Sequence, residues 1–143
     1  MMAKVEEVQR KVHNILTSEF GTVTTDKEGA FRFPYQSTVV NVRVEEFGTD
    51  ETLVKFDGLI AMDSKSGASV YEWCNENNES IAFGTIVHLH SGKNNLTILK
   101  HAILGDFLDP AELMTALKGI VLLADDLDDK FISQFGGKRY EDI

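Results

Sequence analysis

One stretch constrains this chain more than any other. Between Asp109 and Gly137, the residues Leu113, Leu117, Ile120, Ala124, Leu127 and Phe131 recur at steps of four and three. That spacing places them along one face of a helix of about seven turns. Its start is marked by Asp109, whose side chain can accept from free backbone N–H groups. Pro110 suits the first helical position, and Glu112 completes a D-x-x-E capping pattern. Gly136-Gly137 marks its end, because glycine readily takes the positive φ that stops a helix. Such a helix is not stable alone in water and must lie on something. The strand-rich middle of the chain is the partner available.

The remaining elements follow from periodicity. Val5, Val8, Val12, Ile15 and Leu16 predict a first helix ending near Phe20 and Gly21, with a loop from Thr22 to Glu28. Phe31 and Phe33 alternate with Ala30 and Arg32, and Pro34 confines that short run to an edge or a strand end. From Ser37 onward Val40, Val42 and Val44 point one way while Asn41, Arg43 and Glu45 point the other, which is a half-buried strand. Gly48-Thr49-Asp50 is a turn. Leu53 to Met62 is the next strand, with Gly58 marking a bulge or a close approach. A short helix is predicted from Ser69 to Asn78 and a strand from Ile81 to His90. A hairpin turn at Gly92-Lys93-Asn94-Asn95 leads to a returning strand from Leu96 to Leu104. The tail from Lys138 to Ile143 reads as polar and mobile. The expected fold is α+β: one domain over 1–143, an antiparallel sheet of about five strands flanked by helices, in the order α-β-β-β-α-β-β-α.

Charge narrows the partners. The 143 residues carry a net charge of -9, which opposes nucleic-acid phosphates and anionic membranes alike. No apolar run approaches the roughly 20 residues of a membrane span, and Met1 to Glu7 lacks a signal-peptide core. With a single cysteine no internal disulfide can form, so a reducing cytoplasm is expected.

Few residues offer chemistry. His88 and His90 share one face of a strand, and His101 on the neighbouring strand could join them across the hairpin as a metal trio. Zinc needs three or four ligands in a recognisable spacing, and none is present. The preferred reading is therefore solvent-facing histidines, with no metal and no cofactor. Cys74 beside Trp73 reads as a small buried hydrophobe, since no base is placed to activate it. Asp125, Asp126, Asp128 and Asp129 lack the spacing of a calcium loop and read as a solvated helix face. No phosphate-binding glycine loop and no nucleophile elbow occurs, so catalysis is not expected.

The segment Trp73-Cys74-Asn75-Glu76-Asn77-Asn78, followed by Ile81-Ala82-Phe83-Gly84, resembles the YbjN family, whose fold is like that of type III secretion chaperones. Asn75, Asn77, Asn78, Phe83 and Gly84 match the family outline, while Ala82 departs from the arginine-type residue usual before the Phe. The ending from Ala124 to Asp129 and from Phe135 to Arg139 is similar to tails of related bacterial proteins. The resemblance spans Glu28 to Arg139. It implies a helix–sheet–helix domain without known catalysis, often a homodimer, that binds other proteins. The expected function is a chaperone-like module of a bacterial cytoplasm. It would hold an extended polypeptide segment on a sheet edge and an apolar helix–sheet surface. The competing readings are a small-ligand or metal-sensing regulatory domain using His88, His90 and His101, and an enzyme with an unfamiliar site.

Overall fold

The computed structural model describes residues 2–91 and 94–140. Among these, the chain runs α1 (Met2–Phe20), β1 (Thr24–Thr25), β2 (Phe31–Tyr35), β3 (Thr38–Phe47), β4 (Glu51–Met62), α2 (Ala68–Ser80), β5 (Thr85–Ser91), β6 (Asn94–Leu104) and α3 (Pro110–Phe135). The strands form one sheet in the order β1-β2-β3-β4-β6-β5, with every neighbouring pair antiparallel. The sheet thus has six strands rather than five. The addition is β1, inside the segment read as a loop. It is two residues long and pairs only with Arg32 and Phe31, too short to leave an alternation in the sequence. Gly92 and Lys93 of the expected hairpin turn lie outside the described residues.

All three helices lie on one face of the sheet. Val40, Val42 and Val44 of β3 stand opposite Gly58, Phe56 and Val54 of β4 on that face, and α3 crosses there. A Cβ on Gly58 would sit 3.0 Å from the Ala124 methyl and 3.3 Å from Ile120. Gly58 is therefore a point of close approach, and the register shift of β4 falls between Leu59 and Ala61 instead. The six stripe residues of α3 are all buried. Burying one large apolar side chain stabilises by roughly 1.5–3 kcal/mol, against roughly 0–1 kcal/mol for an exposed ion pair. The stripe therefore decides where α3 sits. Glu112 N donates to Asp109 Oδ1 at 2.8 Å, and Gly136, at φ 72, donates to Ile132 O at 2.8 Å. Both ends of α3 thus fall where the capping residues placed them.

Among the described residues, none of α1, α2 and α3 lies on the opposite face. Arg43 pairs there with Asp57 and Glu45, and Lys55 with Glu45. The tail also differs from its sequence reading. Lys138 exchanges both backbone hydrogen bonds with Met62, at 2.7 and 2.9 Å. Arg139 donates to Asp129 at 2.6 Å, and the Tyr140 ring stacks 5.1 Å from the Arg32 guanidinium carbon. Residues 138–140 are pinned by these contacts, and 141–143 lie outside the described residues.

Candidate functional site

The two edges of the sheet are treated differently. At β5, Ile86 N donates to Asn78 Oδ1 at 2.7 Å, and Asn78 Nδ2 donates to Ile86 O at 3.1 Å. One amide side chain from α2 thus takes the place of a neighbouring strand and blunts the edge. The helix predicted to end at Asn78 continues to Ser80. Asn77 bonds back to Trp73 O at 2.9 Å, and Asn78 guards the sheet.

The other edge is left open. β1 covers only Phe31 and Arg32 of β2, so among the described residues no strand pairs with the outer side of Phe33, Pro34 and Tyr35. Pro34 has no N–H to offer, which is tolerated at an edge. Beside this edge lies an apolar cleft of about 490 Å³ between the end of α1, β2 and α3. Phe20, Phe33, Pro34, Tyr35, Val121 and Leu122 line it, with Lys118 alone in charge. Phe20 and Leu122 are 49% and 57% exposed, and the Phe20 and Phe33 rings lie 5.4 Å apart. Leu122 falls outside the buried stripe of α3, so its apolar character is not spent on the core. An open strand edge beside exposed apolar side chains suits an extended segment of another polypeptide.

The chain matches, over residues 6–143, the family model described as "T3SS (YopN, CesT) and YbjN peptide-binding chaperone 1", TY-Chap1. The chain belongs to this family. No curated protein matches it significantly. The YbjN and secretion-chaperone resemblance of the 73–84 segment and the tail therefore holds for nearly the whole chain.

Within this TY-Chap1 fold the histidines do not converge as a trio. His88 is buried, with Nδ1 2.8 Å from Thr97 Oγ1 and Nε2 3.0 Å from Ser66 Oγ. Exposed His90 places Nε2 2.8 Å from the same hydroxyl. His88 is thus not solvent-facing, and both its ring nitrogens are engaged. Ser66 instead ties the β4–α2 connection to β5. Burial, then the neighbouring His90, lowers the His88 pKa. His101 stands opposite Phe56 and against Phe83, four positions along β6 from Thr97, or about 13 Å at strand spacing. Burial lowers its pKa too. Among the described residues no group of three or more His, Cys, Asp or Glu is placed to hold a metal. Cys74 is buried, and burial raises its pKa, so its thiol is less available as a thiolate.

The acidic run is not uniformly solvated. Asp126 and Asp129 are exposed, Asp125 is half-buried, and Asp128 is wholly buried. The reason is the β2–β3 hairpin. Its loop residue Ser37 reaches both Asp125 and Asp128, a contact spanning 91 positions that helical periodicity cannot anticipate.

Proposed function

We propose that this TY-Chap1 chain holds an extended segment of a partner protein along the open edge of β2, with an apolar side chain of that segment in the cleft. The open edge lying against the Phe20–Leu122 cleft carries the reading, and the family's peptide-binding description supports it. Asp125, Asp126 and Asp129 follow Leu122 within two turns of α3, so basic residues beside the apolar anchor fit the partner best. The work is binding, not bond-making, and its setting is a bacterial cytoplasm. No helix among the described residues is long and apolar enough to cross a membrane. Self-association as a homodimer belongs to the same proposal. Phe107, Leu104 and Phe47, exposed by 89%, 53% and 48%, support it.

Anisotropy titration with a labelled peptide alternating leucine and lysine tests the site. Leu122→Asp is expected to weaken binding at least about tenfold, equivalent to about 1.4 kcal/mol. Leu89→Asp, at the guarded β5 edge, is expected to leave binding unchanged. Equal effects at both edges, or none at either, would reject the β2 site. Light scattering on the same samples reads the mass, and a monomer would remove the dimer.

A further inference from the structure

Ser37 Oγ lies 2.9 Å from Asp125 Oδ1 and 2.5 Å from Asp128 Oδ2. A serine hydroxyl has one hydrogen to give, and an ionised carboxylate has none. With both aspartates ionised, one of these two contacts would be a bare approach of oxygen lone pairs. A proton on one carboxyl resolves it, by donating to Ser37 Oγ while Ser37 donates to the other. The environment assigns that proton. Asp125 is half-buried and also faces Ser37 N at 3.4 Å, whereas Asp128 is wholly buried and its Oδ1 has no partner. An ionised Asp128 would leave a buried charge short of donors.

We propose that Asp128 carries a proton in this fold and that this proton latches the β2–β3 hairpin to α3. The order is Asp128 Oδ2–H to Ser37 Oγ, then Ser37 Oγ–H to Asp125 Oδ1. The latch holds a hairpin whose two-residue loop is tight. Tyr35 pairs with Thr38 across it, and Gln36 sits at φ 51, where a non-glycine residue is strained. Tyr35 and Pro34, the residues leading into this loop, form the β2 wall of the apolar cleft. Losing the proton removes the donor from the Asp128–Ser37 contact and leaves that wall tied to α3 more weakly, through Ser37 and Asp125. Only this last consequence, proton control of the cleft, rests on the peptide-binding reading.

The charged groups acting on Asp128 are Asp129 and Asp125 from its own helix and Arg139 from the segment beyond it, with the Ser37 hydroxyl from the hairpin. Arg139 is itself engaged with Asp129. Burial first, then the two aspartates, push the Asp128 carboxyl from its ordinary 3.8 up to about 6, against the Ser37 hydroxyl and Arg139, which draw it down. The folded state therefore binds the proton more tightly than the unfolded chain. The latch is fully present below about pH 4 and is lost as pH rises through about 6.

The test follows side-chain carboxyl carbons by NMR and hairpin amides by hydrogen exchange in the full chain, without peptide. Asp128 is expected to titrate well above the other aspartates. Protection at Gln36 to Thr38, corrected for intrinsic exchange, should fall at least about tenfold between pH 5 and pH 8. Asp128→Asn supplies a permanent donor to Ser37, so protection should stay at its low-pH level throughout. Ser37→Ala should lose it at both pH values. If Asp128→Asn does not fold, Asp125→Asn serves: Ser37 can then donate to Asp128, whose titration should move down toward 3.8. Titration of Asp128 at or below the ordinary value overturns the proposal, as does proton uptake by Asp125 or pH-independent protection in the parent chain. These readouts do not depend on whether the cleft binds peptide.

Discussion

Asp106, at the entrance to α3, and Asp128, near its far end, each tie the helix region to the sheet or its hairpin loop through a hydroxyl, but they are supplied in opposite ways. Asp106 Oδ1 accepts from Thr52 N at 2.8 Å and Thr52 Oγ1 at 2.6 Å, while Oδ2 meets the Lys4 ammonium at 2.7 Å. Two neutral donors and a cation converge on one carboxylate. Asp128 shares a single hydroxyl with a second carboxylate and has an oxygen without a partner. The Lys4 bond first, then Thr52, holds the Asp106 carboxyl down to about 2, whereas burial pushes Asp128 up to about 6. The fold thus makes the same residue type hard to protonate at one end of a helix and easy to protonate at the other. What decides is the supply of donors. The two junctions must respond to pH with opposite signs.

The sharpest way to break the donor-rich junction is steric. A Cβ on Gly105 would lie 2.5 Å from Thr52 Oγ1 and 3.0 Å from Val8 Cγ1, so Gly105→Ala must displace the hydroxyl that Asp106 accepts. The expected loss is about 2 kcal/mol, typical of overpacking, read by chemical denaturation at pH 7. The Asp128 junction, at the other end of α3, should keep its hairpin protection. Parent-like stability in Gly105→Ala would show that the Thr52 junction has slack and that the contrast is overstated.

A gentler pair sharpens the comparison by removing only the hydroxyls. Thr52→Val keeps the shape of a buried residue and deletes one bond to Asp106, and should cost about 1 kcal/mol at both pH 5 and pH 8. Ser37→Ala should cost about as much at pH 5 but less at pH 8, where the Asp128 proton is already gone and the Ser37–Asp125 bond remains to be lost. Denaturation of both variants at the two pH values checks the sign. A Ser37→Ala cost that grows with pH would contradict it.

Part of this was legible before any coordinates. The α3 stripe and its Asp109 cap identify themselves because both are local: the period and the cap lie within one stretch of chain. The β3 alternation is visible for the same reason, and the 73–84 segment carried the family resemblance. What stayed hidden depends on pairs far apart in sequence. Asp128 stands beside Leu127, at the flank of the stripe, and in a lone helix it would be solvated. Ser37, brought in by the β2–β3 hairpin, reaches it from 91 positions away. Asn78 reads locally as the last residue of a short helix, and its hold on Ile86 becomes visible only once α2 is docked on β5. The open β2 edge beside the Phe20–Leu122 cleft likewise needs three separate elements in place.

The smallest expected effect is at Lys4. Its ammonium pairs with Asp106 and also donates to Asp50 O, and the Asp106 bond is the first cause of its own raised pKa. Lys4→Gln removes the cation and leaves the two Thr52 bonds, so Asp106 should titrate closer to its ordinary 3.8. The sign follows from proton counting. With Asp106 at about 2 in the fold, its contribution is present above pH 3.8 and is lost as pH falls toward 2. In Lys4→Gln that acid-side slope should flatten, with a slight loss of stability at neutral pH because the ion pair is solvent-screened. Acid titrations followed by circular dichroism would show it. An unchanged slope would mean that the Thr52 hydroxyl and amide alone hold the carboxylate. The contrast with Asp128 would then rest on neutral donors, with the cation adding nothing.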